Sequence, residues 1–167
     1  LGAPPATPPL CSNKRHRILG VVARRWALGD LVRHDMCKPW LTIPLADYEG
    51  HMSLPSIGQA KMLADQFELL IERTTPSSVA IIGCAGGNGL ERIGSGTVER
   101  VVGVDINPGY IEEARTRHAG RLPHLELYCA DVQSDLLQFG PVDLIYAALL
   151  FEYVDTPSAI ATLRRNC

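Results

Sequence analysis

The stretch Ser78-Val-Ala-Ile-Ile-Gly-Cys-Ala-Gly-Gly-Asn-Gly-Leu-Glu91 decides the fold. Val79 to Ile82 is an uncharged apolar run, which predicts a strand buried on both faces, as in a parallel sheet. Gly83, Gly86, Gly87 and Gly89 follow, and Leu90-Glu-Arg-Ile93 predicts the start of a helix. A strand, a glycine-rich turn and a helix start turn bare backbone N–H groups toward a ligand. Glycine suits such a turn because a Cβ would block close approach and because tight turns need positive φ. A flexible loop between two ordinary elements would carry the same glycines, so the run alone favours a nucleotide site only modestly.

Downstream, Arg100-Val-Val-Gly-Val-Asp105 predicts a second buried strand ending in a carboxylate, about 20 residues after the turn. An acid there can accept hydrogen bonds from ribose hydroxyls. The dinucleotide fingerprint needs Gly at i, i+2 and i+5, and no register of this loop supplies it. From Gly83 those positions are Ala85 and Asn88, and from Gly87 they are Gly89 and Arg92.

Asn107 then predicts a helix cap with Pro108 at the first helical position. Tyr110 to His118 continues that helix with acids early and bases late, as the helix dipole prefers. Gly120 ends it and Pro123 prevents its return. Leu125 to Ala130 predicts a third strand, and Asp131 a short helix running to Leu137. After the Gly140-Pro141 turn, Val142 to Ala148 predicts a fourth strand, and Glu152 to Arg165 a last helix. Asp143 falls at the start of the fourth strand, away from the ligand end, which marks it as structural. Ala147, Ala148, Leu149, Leu150 and Glu152 fall at the carboxyl end, where ligands of open α/β sheets bind.

Four features now stand in order over Ser78 to Phe151. They are Gly83-Cys-Ala85-Gly-Gly87 after a strand, Asp105 ending the second strand, Asp131 after the third, and the apolar strand beside Asp143. Together they resemble the class I S-adenosylmethionine-dependent methyltransferases. That resemblance implies an α/β, Rossmann-like, doubly wound parallel sheet, of which this chain carries the N-terminal four-strand portion, order 3-2-1-4, with flanking helices. It implies S-adenosylmethionine as cofactor. Gly83, Ala85 (in place of the middle glycine) and Gly87, with Asp105 and Ile106, would hold its amino-acid and ribose parts. Asp131 would approach the adenine amino group and Val132 would pack on the ring. Two departures stand out. Ile81 occupies the place of an acid two residues before the first glycine. The family's sheet has seven strands, and this sequence ends after the fourth. That leaves an expected incomplete domain over 78–167, whose fourth strand would be an open edge suited to pairing a homodimer.

Upstream, 36–77 reads as a lid segment and a helix. The prolines in Pro39-Trp-Leu-Thr-Ile-Pro-Leu-Ala-Asp-Tyr-Glu-Gly-His-Met52 argue against a regular helix there. Ser53, or Ser56 with Gln59, predicts the cap of a helix running to about Glu72. Its apolar stripe, Ile57, Ala60, Leu63, Ala64, Phe67, Leu70 and Ile71, is core. In the resembled family the preceding segment lies over the cofactor, so Tyr48, Glu49 and His51 are lid candidates. A surface loop is the competing reading, even for Tyr48 and ahead for His51. Residues 1–35 read as a Pro-rich, disordered extension bearing Lys14, Arg15, Arg17, Arg24, Arg25 and Arg33. A transit peptide or a nucleic-acid arm would share that charge.

With 46% apolar residues and a net charge of -2, the chain reads as globular, without the charge of a nucleic-acid or membrane surface. No apolar run reaches the length of a membrane span. The five cysteines, at 11, 37, 84, 129 and 167, show no zinc or disulfide spacing, which fits thiols in the cytoplasm. Ala-Leu-Leu-Phe151 after the fourth strand is unlike the Asn/Asp-Pro-Pro-Tyr/Phe of amino-directed nucleic-acid enzymes and points to a small-molecule methyl acceptor. Glu152 and Tyr153 are acceptor-contact candidates, no catalytic base stands out, and His118 and His124 fall away from the expected cleft. A truncated non-catalytic or dimerising module and a nicotinamide-dependent oxidoreductase remain alternatives.

Overall fold

The structure is a computed structural model that describes residues 17–19 and 38–166, apart from 95, 97, 123 and 135. Five parallel strands form one sheet: β1 (Arg17–Leu19), β2 (Ser78–Ile82), β3 (Arg100–Asp105), β4 (Leu125–Cys129) and β5 (Leu144–Tyr146). Their spatial order is β1-β5-β2-β3-β4. The four strands expected from sequence are β2 to β5, and they lie in the expected order 3-2-1-4. Val79 of β2 pairs with Val101 of β3 on one side and Leu144 of β5 on the other.

Alternation along β2 shows why the run carries no charge. Ala80 and Ile82 join Val102, Val104 and Ile145 on one face, beneath Ala159 and Leu163 of helix α4 (Thr156–Arg164). Val79 and Ile81 join Val101, Leu144 and Tyr146 on the other face. There they meet Phe67 of α2 (Gln59–Thr74) and Ile111 of α3 (Pro108–His118). Successive side chains of a strand point to opposite faces, so a strand covered on both sides must be apolar throughout. Phe67 is fully buried, and its ring packs on Tyr146, whose hydroxyl donates to Leu63 O at 3.0 Å. Truncating such a phenylalanine costs about 3–5 kcal/mol.

The ends of the strands away from the ligand side are tied by charge. Asp143 Oδ2 accepts from the backbone N–H and the hydroxyl of both Ser77 and Ser78, at 2.7–3.0 Å. This is the structural role expected of it. Arg100 forks onto Glu126 of the neighbouring strand and donates to Phe139 O and Pro141 O.

Several elements differ from the sequence reading. The fourth strand's outer edge is not open: β1 pairs along it, Arg17 opposite Leu144 and Leu19 opposite Tyr146. The edge expected to recruit a second copy is therefore occupied by the chain itself. Of residues 1–35, only β1 is described; Lys14, Arg15, Arg24, Arg25 and Arg33 lie outside the described residues, as do Cys11, Cys37 and Cys167. The proline-rich segment holds a helix after all, α1 (Leu45–Met52), with Pro44 at its N-cap. Proline is harmless there because the first N–H groups of a helix have no intrahelical partner. Helix α2 begins at Gln59, after Gly58 in the left-handed conformation, rather than at either serine. Leu90–Arg92 makes a single 3₁₀ turn. Among the described residues between Asp131 and Leu137 there are turns and no helix. Helix α4 starts at Thr156 because Asp155 caps it, accepting from Ser158 N.

Candidate functional site

The glycine loop leaves the end of β2 and doubles back over β3. Gly83 N donates to Val104 O at 2.8 Å. Ala85, at φ 47, lies in the left-handed region that side chains resist, and its N–H donates to Asp105 Oδ2 at 2.9 Å. The other oxygen of Asp105 accepts from Asn107 N at 2.9 Å. Asp105 is 8% exposed, and burial pushes its pKa up against the bonds from Asn107, Ala85 and Ile106. Two oxygens offer about four acceptor sites, so these three backbone donors leave capacity for a further one.

Gly83 is the exposed member of 83–87, while Cys84, Ala85, Gly86 and Gly87 are buried. Gly87 has φ 101, and a Cβ placed on it would lie 2.5 Å from His118 Nε2. The His118 imidazole therefore braces the loop from α3, contrary to the expectation that it falls away from the site. The loop's shape is fixed from beneath, and Gly83 presents its upper surface.

A strap from Lys38 to Ile43 crosses the carboxyl ends of β3 and β4. Lys38 Nζ donates to Asp131 Oδ2 at 2.7 Å. Asn107 Nδ2 donates to Trp40 O at 2.6 Å, and the Tyr110 hydroxyl to Ile43 O at 2.9 Å. Asn107 also caps α3, accepting from Gly109 N and Tyr110 N, as its sequence predicted. The strap leads into α1, whose Tyr48 ring stacks on Tyr110 at 6.1 Å between centroids. Burial, then the charge of Asp105, pushes the Tyr48 pKa up to about 12. Glu49 receives both guanidinium nitrogens of Arg117, at 2.6 and 3.2 Å, which locks α1 onto α3. Between them opens a cleft of about 350 Å³ bordered by Tyr48, Glu49, Gly87 and His118.

At the end of β5, Leu149 takes φ 56, and the turn brings Leu150 Cδ1 within 3.7 Å of where a Gly83 Cβ would stand. Strain of this kind concentrates at functional sites. Tyr153 follows, 43% exposed, with its ring on Trp40.

The structure thus gathers Gly83, Asp105, Ile106, Asp131, Tyr48 and Tyr153 at one end of the sheet. Val132 belongs to the core cluster, 4% exposed. His51 and His124 are exposed and enter none of these contacts. Lys38 and Trp40 were not singled out from sequence. The only available signal was an aromatic and a base beside a proline just ahead of the lid residues. Among the described residues, no group of His, Cys, Asp and Glu is placed to hold a metal, and no helix is long and apolar enough to cross a membrane.

Comparison with solved structures places this architecture. The plantazolicin methyltransferase BpumL, in complex with S-adenosylhomocysteine, superposes with a TM-score of 0.56 at 20% identity, over 77% of this chain and 50% of its own. The N-methyltransferase NodS from Bradyrhizobium japonicum WM9, also with S-adenosylhomocysteine, gives 0.55 at 21%, over 65% and 56%. SpnF, described as a [4+2]-cyclase, gives 0.52 at 20%, over 61% and 40%. The chain spans about half the length of these relatives. No curated protein sequence matches. A model of the methyltransferase domain matches residues 79–167, more than half of the chain and the sheet from Val79 of β2 onward. By that match, and by a sheet and loop built as described, the chain belongs to the methyltransferase-domain family.

Proposed function

We propose that the chain forms the cofactor-binding part of an S-adenosylmethionine-dependent methyltransferase that acts on a small molecule in the cytoplasm. The observation that carries this reading is the convergence at one sheet end of exposed Gly83, the buried Asp105 carboxylate and Asp131. These residues fit the cofactor. Gly83 offers a surface without a side chain, while Ala85 and Gly87 set the course of the loop beneath it. Asp105, with Ile106 beside it, accepts from ribose hydroxyls through its remaining lone pairs. Asp131 accepts from the adenine amino group, and Val132 backs that end from the core. Tyr48 closes over the ribose side, and the cleft beside Glu49 leaves room for the amino-acid end.

When bound, the cofactor supplies an electrophilic methyl group. The protein's task is then alignment, and a general base is needed only where the acceptor must lose a proton. Leu150, beside the Gly83 position, and Tyr153 would border the acceptor side. The free thiols of Cys84 and Cys129 suit a reducing compartment. A non-methylating reaction on the same fold is the second reading, because SpnF carries the fold under a cyclase's name and fold does not dictate chemistry.

Calorimetric titration with S-adenosylhomocysteine, with a nicotinamide dinucleotide alongside, tests the reading. Saturable binding of the first alone, lost in Asp105→Ala, is the expected result. Unchanged affinity in that variant, or selective binding of the nicotinamide, would overturn it.

A further inference from the structure

Asn107 carries out two tasks at once. Its Oδ1 accepts from Gly109 N at 2.8 Å and from Tyr110 N at 3.3 Å, which caps α3. Those two donors fix the orientation of the amide, so the group that faces the strap is the NH2. It donates to Trp40 O at 2.6 Å. The backbone N–H of Asn107 meanwhile donates to Asp105 Oδ1 at 2.9 Å. One buried residue thus joins the end of β3, the first turn of α3 and the strap.

The cap alone does not call for asparagine. Serine and aspartate cap helices about as well. Neither replaces the bond to Trp40 O. A serine side chain ends one bond short of the place of Nδ2, and an ionised aspartate has no donor. Trp40 O needs an outside partner because the strap's own turn is closed on Pro39 O, which accepts from Thr42 N at 2.9 Å and Ile43 N at 3.1 Å. Ile43 O is held in the same way, by the buried Tyr110 at 2.9 Å. The cap and first turn of α3 therefore grip the strap at two main-chain carbonyls, which fixes its backbone whatever side chains it carries. The Lys38 latch, by contrast, is made by a half-exposed head group.

We propose that Asn107 is a positioning residue for the nucleoside end of the cofactor. It acts through the strap, with Tyr110 as the second tie, and holds the strap's main chain as a wall beside Asp105 and Asp131. The identity of the ligand rests on the function proposed above. The tie itself rests on the geometry alone.

The test uses the full chain. Asn107→Ser keeps a cap and loses the donor, Asn107→Ala loses both, and Tyr110→Phe loses only the hydroxyl. Calorimetry with S-adenosylhomocysteine and with adenosine reads the wall. The emission of Trp40, in a Trp26→Phe background that removes the other tryptophan, reads the strap without ligand. Urea unfolding reads the cap. Asn107→Ser should weaken both ligands by one common factor of about 3 to 10, with red-shifted Trp40 emission and a near-parental unfolding midpoint. Tyr110→Phe should do the same. Asn107→Ala should add a loss of stability that Asn107→Ser does not show. Parental or tighter binding in both Asn107→Ser and Tyr110→Phe overturns the positioning role. So does a loss confined to S-adenosylhomocysteine, which would put the effect at the amino-acid end. Unshifted Trp40 emission in both variants overturns the tie. If the parent chain binds neither ligand, the methyltransferase reading falls and the nucleoside role with it, while the Trp40 emission still decides the tie.

Discussion

Lys38 Nζ sits 2.7 Å from Asp131 Oδ2, so the strap is latched to the acid that the proposed function assigns to adenine. Burial pushes the Asp131 carboxyl up, but the bonds from Lys38 and Gln133 outweigh it and hold the pKa below the usual carboxylate range. The latch is therefore intact above that range and is lost as pH falls through the lowered value. Lys38 is half exposed, and such a pair contributes about 0.2–1 kcal/mol. If the cofactor must displace it, Lys38→Met should raise affinity for S-adenosylhomocysteine by about 1.5- to 5-fold. Added salt should do the same for the parent chain and less for the variant. Weaker binding by Lys38→Met in calorimetry would mean that Lys38 helps to hold the ligand.

At the opposite end of the sheet, Asp143 ties β2 to β5 through four bonds to Ser77 and Ser78. The Ser77 hydroxyl is the chief cause holding its pKa down, with Ser78 adding to it and burial opposing. A depressed carboxylate pKa stabilises the fold above the unfolded value of about 3.9, and that stability disappears as pH falls through the folded value. Asp143→Ala should cost about 1–3 kcal/mol at neutral pH, measured by urea unfolding. The gap between variant and parent should narrow below pH of about 4. A gap independent of pH would show that packing, not ionisation, gives Asp143 its effect.

These two acids also show what was legible in the sequence. Strand β2, the cap at Asn107 and the structural place of Asp143 followed from patterns within a few residues: an uncharged run, an Asn-Pro pair, an acid on the wrong end of a strand. The latch did not, because Lys38 and Asp131 are 93 positions apart and nothing local marks a lysine that crosses a sheet. The brace at His118 was missed for the same reason. A histidine at the end of a helix reads as solvated until the loop that packs on it is placed. Helix α1 is hidden in the sequence because Pro39 and Pro44 have the look of breakers. One of them stands where a helix begins, and composition does not separate the two cases. The pairing of β1 with β5 involves an Arg-Ile-Leu too short to show a strand period.

Ala85 stands where the family's motif has its middle glycine, yet keeps a left-handed φ of 47. Its N–H must face Asp105, and that bond holds the strained residue in place. A left-handed alanine costs about 1–2 kcal/mol, while glycine adds about 0.5–1 kcal/mol of chain entropy to the unfolded state. Ala85→Gly should therefore stabilise the chain by a net of about 0.5–1 kcal/mol. The thermal midpoint should rise with affinity for S-adenosylhomocysteine kept. A fall in the midpoint would mean that the Ala85 methyl, which is buried, contributes more through packing than its backbone loses to strain.

Gly87 presents the converse case. It combines φ 101 with a His118 imidazole 2.5 Å from where a Cβ would be. Gly87→Ala thus incurs both backbone strain and a clash with the buried His118 ring. Together these should cost about 2–4 kcal/mol. The two contributions separate in a double-mutant cycle. His118→Ala removes the clash and leaves the strain, so the pair should be less destabilised than the sum of the single variants, by about 1–3 kcal/mol. Strict additivity would show that the ring moves aside without cost and that φ alone demands glycine. Positive coupling would establish His118 as the support that sets the height of the loop beneath Gly83. In that case His118→Ala by itself should weaken S-adenosylhomocysteine binding without touching the ligand, because the surface that Gly83 presents would drop toward α3.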